Sequence, residues 1–191
     1  DIKYQDTNGD GQITDADKRR LGKSGKPRGQ FGINLNMSYK GFYLSALFQG
    51  STKFNMYVAG SLGMQTGQTY GMPVAYDYQT DFWTPDNRDA QYPRLMANTA
   101  LNQNNNYASS DFWLINGAYL RMKDFQFGYD FKYSLLKNVS WLTRCKMGIS
   151  GQNIFTISQA TKYGMDPEPS DTNYYGYPVE RTIALTLNLG F

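Results

Sequence analysis

Arg181-Thr-Ile-Ala-Leu-Thr-Leu-Asn-Leu-Gly-Phe191 is the stretch whose reading decides the fold. Side chains alternate across a strand. Ile183, Leu185, Leu187, Leu189 and Phe191 therefore share one face, and Thr182, Ala184, Thr186, Asn188 and Gly190 share the other. One face is wholly apolar, the other small or polar. A core strand of a soluble sandwich has the same pattern. A span of about ten residues that closes on an aromatic fits a membrane-crossing barrel strand better, with lipid on the apolar face and water on the other.

The same alternation recurs upstream. Phe31, Ile33, Leu35, Met37 and Tyr39 fall on one face of Gln30 to Tyr39, with Gly32, Asn34, Asn36 and Ser38 opposite. Lys40-Gly41 reads as a two-residue turn, after which Phe42, Leu44, Ala46 and Phe48 resume the apolar face. A third strand is expected from Ala118 to Phe131. Leu120 and Met122 keep one parity and Phe125, Phe127, Tyr129 and Phe131 the other, so a β-bulge near Lys123-Asp124 is required. Tyr133 to Leu142 reads as a helical turn or irregular connection, and Lys146 to Ile157 as a fourth strand. Gly50 to Asp111 lacks a sustained period, with a short helix expected near Pro73 to Trp83, and Thr161 to Glu180 reads as a second long loop. Short turns alternating with long loops are what a barrel shows on its periplasmic and extracellular sides. On that rule Lys40-Gly41 and the connection Lys132 to Arg144 lie inside, and the latter is long for an inner turn.

Composition narrows the function classes. Aromatics make up 16% of the chain and charged residues only 18%, which suits the aromatic girdles of a barrel. No run approaches the roughly eighteen apolar residues of a membrane helix, so a helical membrane protein is excluded and a barrel is not. The net charge of +3 is dispersed, with Lys18-Arg-Arg20 the one compact basic run, so nucleic acid is not an expected partner. Cys145 is the single cysteine, which forbids an intrachain disulfide. The chain has no His. That removes the commonest general base and disfavours zinc sites, so no catalytic residues and no enzymatic activity are expected. Asp1-Ile-Lys-Tyr4 lacks the regions of a signal peptide, pointing to a mature protein or a fragment.

Asp6-Thr-Asn-Gly-Asp-Gly-Gln-Ile-Thr-Asp-Ala-Asp17 has the spacing of a twelve-residue calcium loop. Asp6, Asn8 and Asp10 occupy positions one, three and five, and Gly11 allows the sharp turn at six. Gln12 offers its carbonyl at seven, Thr14 acts directly or through water at nine, and Asp17 closes the loop at twelve, where Glu is usual. A hard cation needs six or more oxygens, so Ca2+, or Mg2+ in its place, is the expected cofactor. The competing reading is an Asn/Asp/Gly-rich turn without metal. Residues 1–29 are thus expected to form an extracellular loop, and 30–191 barrel strands and loops of a larger domain.

Segments spanning nearly the whole chain carry a family resemblance. They are Asp1 to Gly11, Tyr39-Lys-Gly-Phe42, Phe82-Trp-Thr-Pro-Asp-Asn87, Tyr92-Pro-Arg-Leu95, Tyr119-Leu-Arg-Met-Lys123, Ser150-Gly-Gln-Asn-Ile-Phe155, Asp166-Pro-Glu168 and the last strand. In order and spacing the chain resembles the C-terminal part of SusC/RagA-type TonB-dependent outer-membrane transporters. The resemblance implies import of oligosaccharides or peptides through a barrel of about twenty-two strands with an internal plug. It implies as partners a SusD-like surface lipoprotein, TonB through a missing N-terminal part, the remainder of the barrel and plug, and outer-membrane lipid. The barrel assembly machinery would read Ile183, Leu185, Leu187, Leu189 and Phe191. The expected location is the outer membrane of a Gram-negative, Bacteroidetes-like bacterium. Five or six strands cannot close a barrel, so both sheet edges must pair with other polypeptide.

Asn34, Asn36, Ser38, Thr186 and Asn188 would line a hydrated wall. Tyr70, Tyr76, Tyr78, Trp83, Tyr107 and Trp113 are candidates for stacking on sugar or meeting the lipoprotein, although packing within the loop explains any one of them. The alternative function is a soluble calcium-binding β-module for adhesion or carbohydrate binding.

Overall fold

The computed structural model describes residues 1–22, 25–58, 80–94, 105–168 and 179–191, and within them the chain is all-β with short 3-10 turns. The strands are β1 (Gly29–Tyr39), β2 (Phe42–Thr52), β3 (Asn55–Tyr57), β4 (Leu114–Asn116), β5 (Tyr119–Asp130), β6 (Arg144–Gln152), β7 (Thr156–Ser158) and β8 (Thr182–Gly190). The main sheet runs β1-β2-β5-β6-β8, every neighbour antiparallel, and β7 also pairs with β5. It is an up-and-down meander whose outer strands are β1 and β8. β3 and β4 form a separate two-stranded sheet; β3 lies inside the segment read as aperiodic and β4 just after it. Three residues are too few for a period to register in the sequence.

The hairpin β1–β2 keeps one register from Gly29↔Thr52 to Tyr39↔Phe42. Lys40 and Gly41 both take positive φ, 46° and 90°. A two-residue loop needs that conformation to follow the right-handed twist of its strands. At Gly41 the backbone also lies against the Tyr129 and Tyr133 side chains, so a Cβ there would crowd them.

The expected bulge is present. Leu47 faces Asp124 and Phe48 faces Met122, which leaves Lys123 unopposed. Leu120 and Met122 therefore share a face with Phe125, Phe127 and Tyr129 despite their opposite parity. The fourth strand differs from the single span Lys146 to Ile157. β6 stops at Gln152, Asn153 takes φ 52°, and β7 begins at Thr156. The interruption sits across from the Lys123 bulge, where Asn153 N donates to Lys123 O (3.1 Å) and Ile154 N to Met122 O (3.1 Å). Two bent strands stay paired because each absorbs the other's irregularity. The short helix expected near Pro73 to Trp83 lies largely outside the described residues. Of its described residues Thr80 has 3-10 conformation, while Phe82 bridges Tyr92 and Trp83 N donates to Tyr92 O.

The chain divides into two compact units, Asp1–Gly25 with Asn55–Ile115, and Lys26–Phe54 with Asn116–Phe191. In the first, Trp113 is buried and packed by Ile2, Tyr57 and Tyr92. Its Nε1 donates to Asn106 O (3.0 Å), while Ile2 N donates to Asn106 Oδ1 (2.9 Å). Asp1 receives a two-pronged bond from Arg94, at 2.8 and 3.0 Å. The Asp1-Ile-Lys-Tyr4 and Tyr92-Pro-Arg94 motifs are thus neighbours in space. The second unit is the main sheet.

Candidate functional site

The cross-strand register assembles one face of the main sheet from the apolar parity of every strand. It carries Phe31 to Tyr39, Phe42 to Phe48, Leu120, Met122, Phe125 to Tyr129, Met147, Ile149, Ile157 and Ile183 to Leu189 in alternation. Few of these side chains are covered. Exposure is 55% at Ile33, 52% at Met147 and 87% at Leu185. β1 has no buried residue at all. The five residues expected to serve in assembly, Ile183, Leu185, Leu187, Leu189 and Phe191, are all among the exposed large hydrophobics. The expected interior packing of a soluble sandwich is absent from this face.

The opposite face holds Gly32, Asn34, Asn36 and Ser38, then Tyr43, Ser45 and Gln49, Arg121, Asp124 and Gln126, Ser150 and Gln152, and Thr182, Thr186 and Asn188. Neighbouring polar groups bond along the strands, Asn36 Nδ2 to Asn34 Oδ1 at 3.0 Å and Gln126 Nε2 to Asp124 Oδ1 at 3.3 Å. Tyr43 lies over the facing pair Gly128↔Gly148, where any side chain would collide with its ring. Lys146 Nζ stands 5.4 Å from the centre of that ring.

Arg121 is the one nearly buried charge of this face, 3% exposed. Each of its three nitrogens donates to an acceptor: Nη2 to Asp166 Oδ1 (2.6 Å), Nη1 to Glu168 Oε2 (2.5 Å) and Nε to Thr156 Oγ1 (2.8 Å). Lys123, on the bulge, reaches the other oxygen of Glu168 at 2.7 Å. Burial of a guanidinium demands such partners. Two motifs recognised separately, Tyr119-Leu-Arg-Met-Lys123 and Asp166-Pro-Glu168, prove to be the halves of one ion cluster that fastens the loop after β7 to the sheet. Two like-charged pairs at i, i+2, basic at 121 and 123 and acidic at 166 and 168, were the available signal.

The acidic loop is closed by side-chain to backbone bonds. Asp6 accepts from Gly9 N (2.6 Å) and Gly11 N (2.8 Å), Asn8 Oδ1 from Asp10 N (2.9 Å), and Asp10 Oδ1 from Gln12 N (2.8 Å). Gly9 and Gly11 take φ 81° and 80°, as so tight a chain path requires. Asp17 turns inward, accepting from Thr7 N and Thr14 N, both at 2.8 Å, and it completes a capping box with Thr14 on the turn Asp15–Asp17. The Thr14 N–H, then that of Thr7, holds the Asp17 carboxyl below the usual carboxylate range. The donor set is all oxygen, as a hard cation wants. Yet among the described residues no three Asp, Glu, His or Cys side chains converge as a metal-holding group. Asp6, Asp10 and Asp17 are brought into one loop but not onto one point.

The aromatic candidates sort differently. Trp113 is 4% exposed and belongs to the core, so it is unavailable for sugar or lipoprotein. Tyr70, Tyr76 and Tyr78 lie outside the described residues, as does the side chain of Tyr107. Trp83 is exposed, on an open cleft of about 290 Å³ shared with Lys3, Gln91, Pro93 and Phe112. That volume is at the lower limit of ligand pockets, roughly 300 Å³. Phe82-Trp-Thr-Pro-Asp-Asn87 is a turn centred on Asp81, whose carboxylate accepts from Asn87 Nδ2 (3.0 Å) and Gln91 N (3.1 Å).

An antiparallel meander with an exposed apolar face, a polar face and two outer strands is the architecture of a segment of transmembrane β-barrel wall. No protein-family model matches the chain. It is 28% identical over 203 residues, 98% of its length, to TonB-dependent receptor P3 of Formosa agariphila, and 28% identical over 99% of its length to TonB-dependent receptor P26 of the same organism. The chain spans 19% of the length of each. Among solved structures it is similar to the RagAB peptide importer in the closed-closed state (23% identity, TM-score 0.59, 82% of this chain and 16% of that one) and to the RagAB peptide transporter (21%, TM-score 0.59, the same coverage). These likenesses extend over almost the whole chain and match the SusC/RagA-type resemblance of its motifs.

Proposed function

We propose that this chain is the C-terminal part of the barrel wall of an outer-membrane TonB-dependent importer of bulky nutrients, oligosaccharides or peptides. The observation that carries the reading is the main sheet itself: one continuous apolar face left exposed, backed by a face that is polar or small apart from Leu47. In water such a face is a strong drive to aggregate. In an outer membrane it is the lipid-facing surface, and the polar face with Asn34, Asn36, Ser38, Thr186 and Asn188 lines a hydrated lumen. The free edges of β1 and β8 would pair with the remaining strands, since unpaired backbone groups in lipid cost several kcal/mol each.

Further partners follow from the same reading: an internal plug, TonB contacting a part of the protein outside this chain, a SusD-like surface lipoprotein, and the barrel assembly machinery acting on the last strand. The names of the relatives and of the RagAB neighbours support import and no enzymatic role. The acidic loop would hold Ca2+, or Mg2+, through Asp6, Asn8, Asp10, the Gln12 carbonyl, Thr14 and Asp17, as a rigid clip on the extracellular side. A cation would compete with backbone N–H groups for those oxygens.

Two experiments test this. The full-length protein should fractionate with the outer membrane and support uptake of labelled peptide or oligosaccharide that is lost when TonB is removed. A monomer stable in water without detergent would instead favour the soluble β-module. Calcium titration by calorimetry should lose its heat in Asp10→Ala, and unchanged binding would remove the loop from the account.

A further inference from the structure

We infer that the β5–β6 connection, residues 131–143, is a membrane-interface anchor that rests among phospholipid headgroups at the turn end of the wall. This rests on the barrel reading above. It accounts for the one inner connection that is too long for a simple turn.

Three observations converge on this stretch. The first is exposure of large apolar side chains. Tyr133 is 59% exposed, Leu135 77% and Trp141 66%. A connection hanging in water has no use for them.

The second is that the backbone bonds to itself. Leu136 N donates to Phe131 O (2.9 Å), Ser134 N to Phe131 O (3.2 Å) and Val139 N to Leu136 O (3.2 Å). Lys132 Nζ collects the carbonyls of Leu136 (3.2 Å), Lys137 (3.4 Å) and Val139 (2.6 Å). Carbonyls that water would serve on an ordinary surface loop are here served by one ammonium. That is the arrangement a chain needs when one side of it meets a medium poor in water.

The third is continuity with the lipid-facing surface at both ends of the stretch. Phe131 meets Tyr129 edge-on, with centroids 5.3 Å apart, and Tyr129 in turn meets Phe42 at 4.7 Å. At the far end Trp141 stacks on Phe191, 5.9 Å apart and 8° from parallel. Phe42, Tyr129 and Phe191 all have the parity of the apolar face. Amphipathic rings at the headgroup level are the usual girdle of a membrane protein. Lys137, exposed beside Leu135, adds a cation suited to anionic headgroups.

The occupant is therefore phospholipid, at the boundary of headgroup and acyl chain. The test uses the full-length protein, free of other reactive cysteines, in vesicles of phosphatidylethanolamine and phosphatidylglycerol. Nitroxide labels are placed at Leu135→Cys, at Leu185→Cys on the strand face, and at Lys18→Cys as the water reference. Relaxation by oxygen is compared with relaxation by a water-soluble nickel chelate. The expected oxygen-to-nickel ratio at position 135 is several-fold above that at 18 and below that at 185. A ratio at 135 equal to that at 18, with 185 still deep in lipid, overturns the anchor and leaves the barrel reading intact. Water-like ratios at both 135 and 185 overturn the barrel reading itself. If Leu135→Cys does not assemble, Tyr133→Cys reports the same depth.

Discussion

Asp17 shows how far one residue can be read and where reading stops. Its place at position twelve of the acidic loop was visible in the sequence; that its oxygens are held by Thr7 and Thr14 N–H groups was not, because hydrogen-bond direction depends on the folded path of the loop. Its carboxyl sits below the ordinary value. A depressed carboxylate contributes stability above its unfolded pKa, about 3.9, and loses it as pH falls through the lower folded value. Amide exchange at Thr7 and Thr14 should therefore stay protected at about pH 5 and lose protection only on acidification below about 4. Asp17→Asn should flatten that acid transition. Loss of protection already near neutral pH would show that the N–H bonds do not hold Asp17. Trp113 carries the converse lesson. A Trp in a Tyr-rich loop looks like a ligand platform, and only the fold reveals that Ile2, Tyr57 and Tyr92 surround it.

Strands of nine or more residues with clean alternation were legible, because period two survives without knowledge of neighbours. β3 and β4 were not, each being three residues long, and β7 was read only as the tail of the span Lys146 to Ile157. The Lys123 bulge was legible because parity must be reconciled somewhere between Met122 and Phe125. Its partner irregularity at Asn153 was not, since it is dictated by β5 and not by its own sequence. Deleting Lys123 removes the unopposed residue and leaves Met122 and Phe125 in phase, so both halves of β5 should keep their faces and the protein should still accumulate in the outer membrane on immunoblots. Lys123→Ala should keep the register and accumulate, losing only the pair to Glu168. Loss of accumulation in the deletion variant, beside normal accumulation of Lys123→Ala, would contradict the reading of Lys123 as an extra residue. Removing both carboxylates, Asp166→Ala with Glu168→Ala, strands the nearly buried Arg121 guanidinium and should cost about 3 kcal/mol, the lower end of the range because both partners remain partly solvated. Arg121→Met should cost less, because it removes the charge together with its need for partners. The heat-unfolding midpoint in detergent orders the two, and a more stable double variant would refute the cluster's role.

At the scale of the molecule, the two apolar stretches that set the fold, Phe31 to Tyr39 and Ile183 to Leu189, lie on one face of one sheet, at its opposite edges, and both are exposed. A self-contained globule would have folded them against each other. The alternation in the sequence contained the two faces and already pointed the apolar one at lipid; the structure leaves those side chains uncovered, as that reading requires. The most direct measurement is a cysteine scan of positions 183–189 in the full-length protein in isolated outer membranes, with a membrane-impermeant maleimide as probe. The account predicts labelling with a period of two: Thr186 and Asn188 react, while Leu185 and Leu187 stay protected until the membrane is dissolved. Uniform reactivity along the strand, or reactive leucines beside protected Thr186 and Asn188, would contradict it.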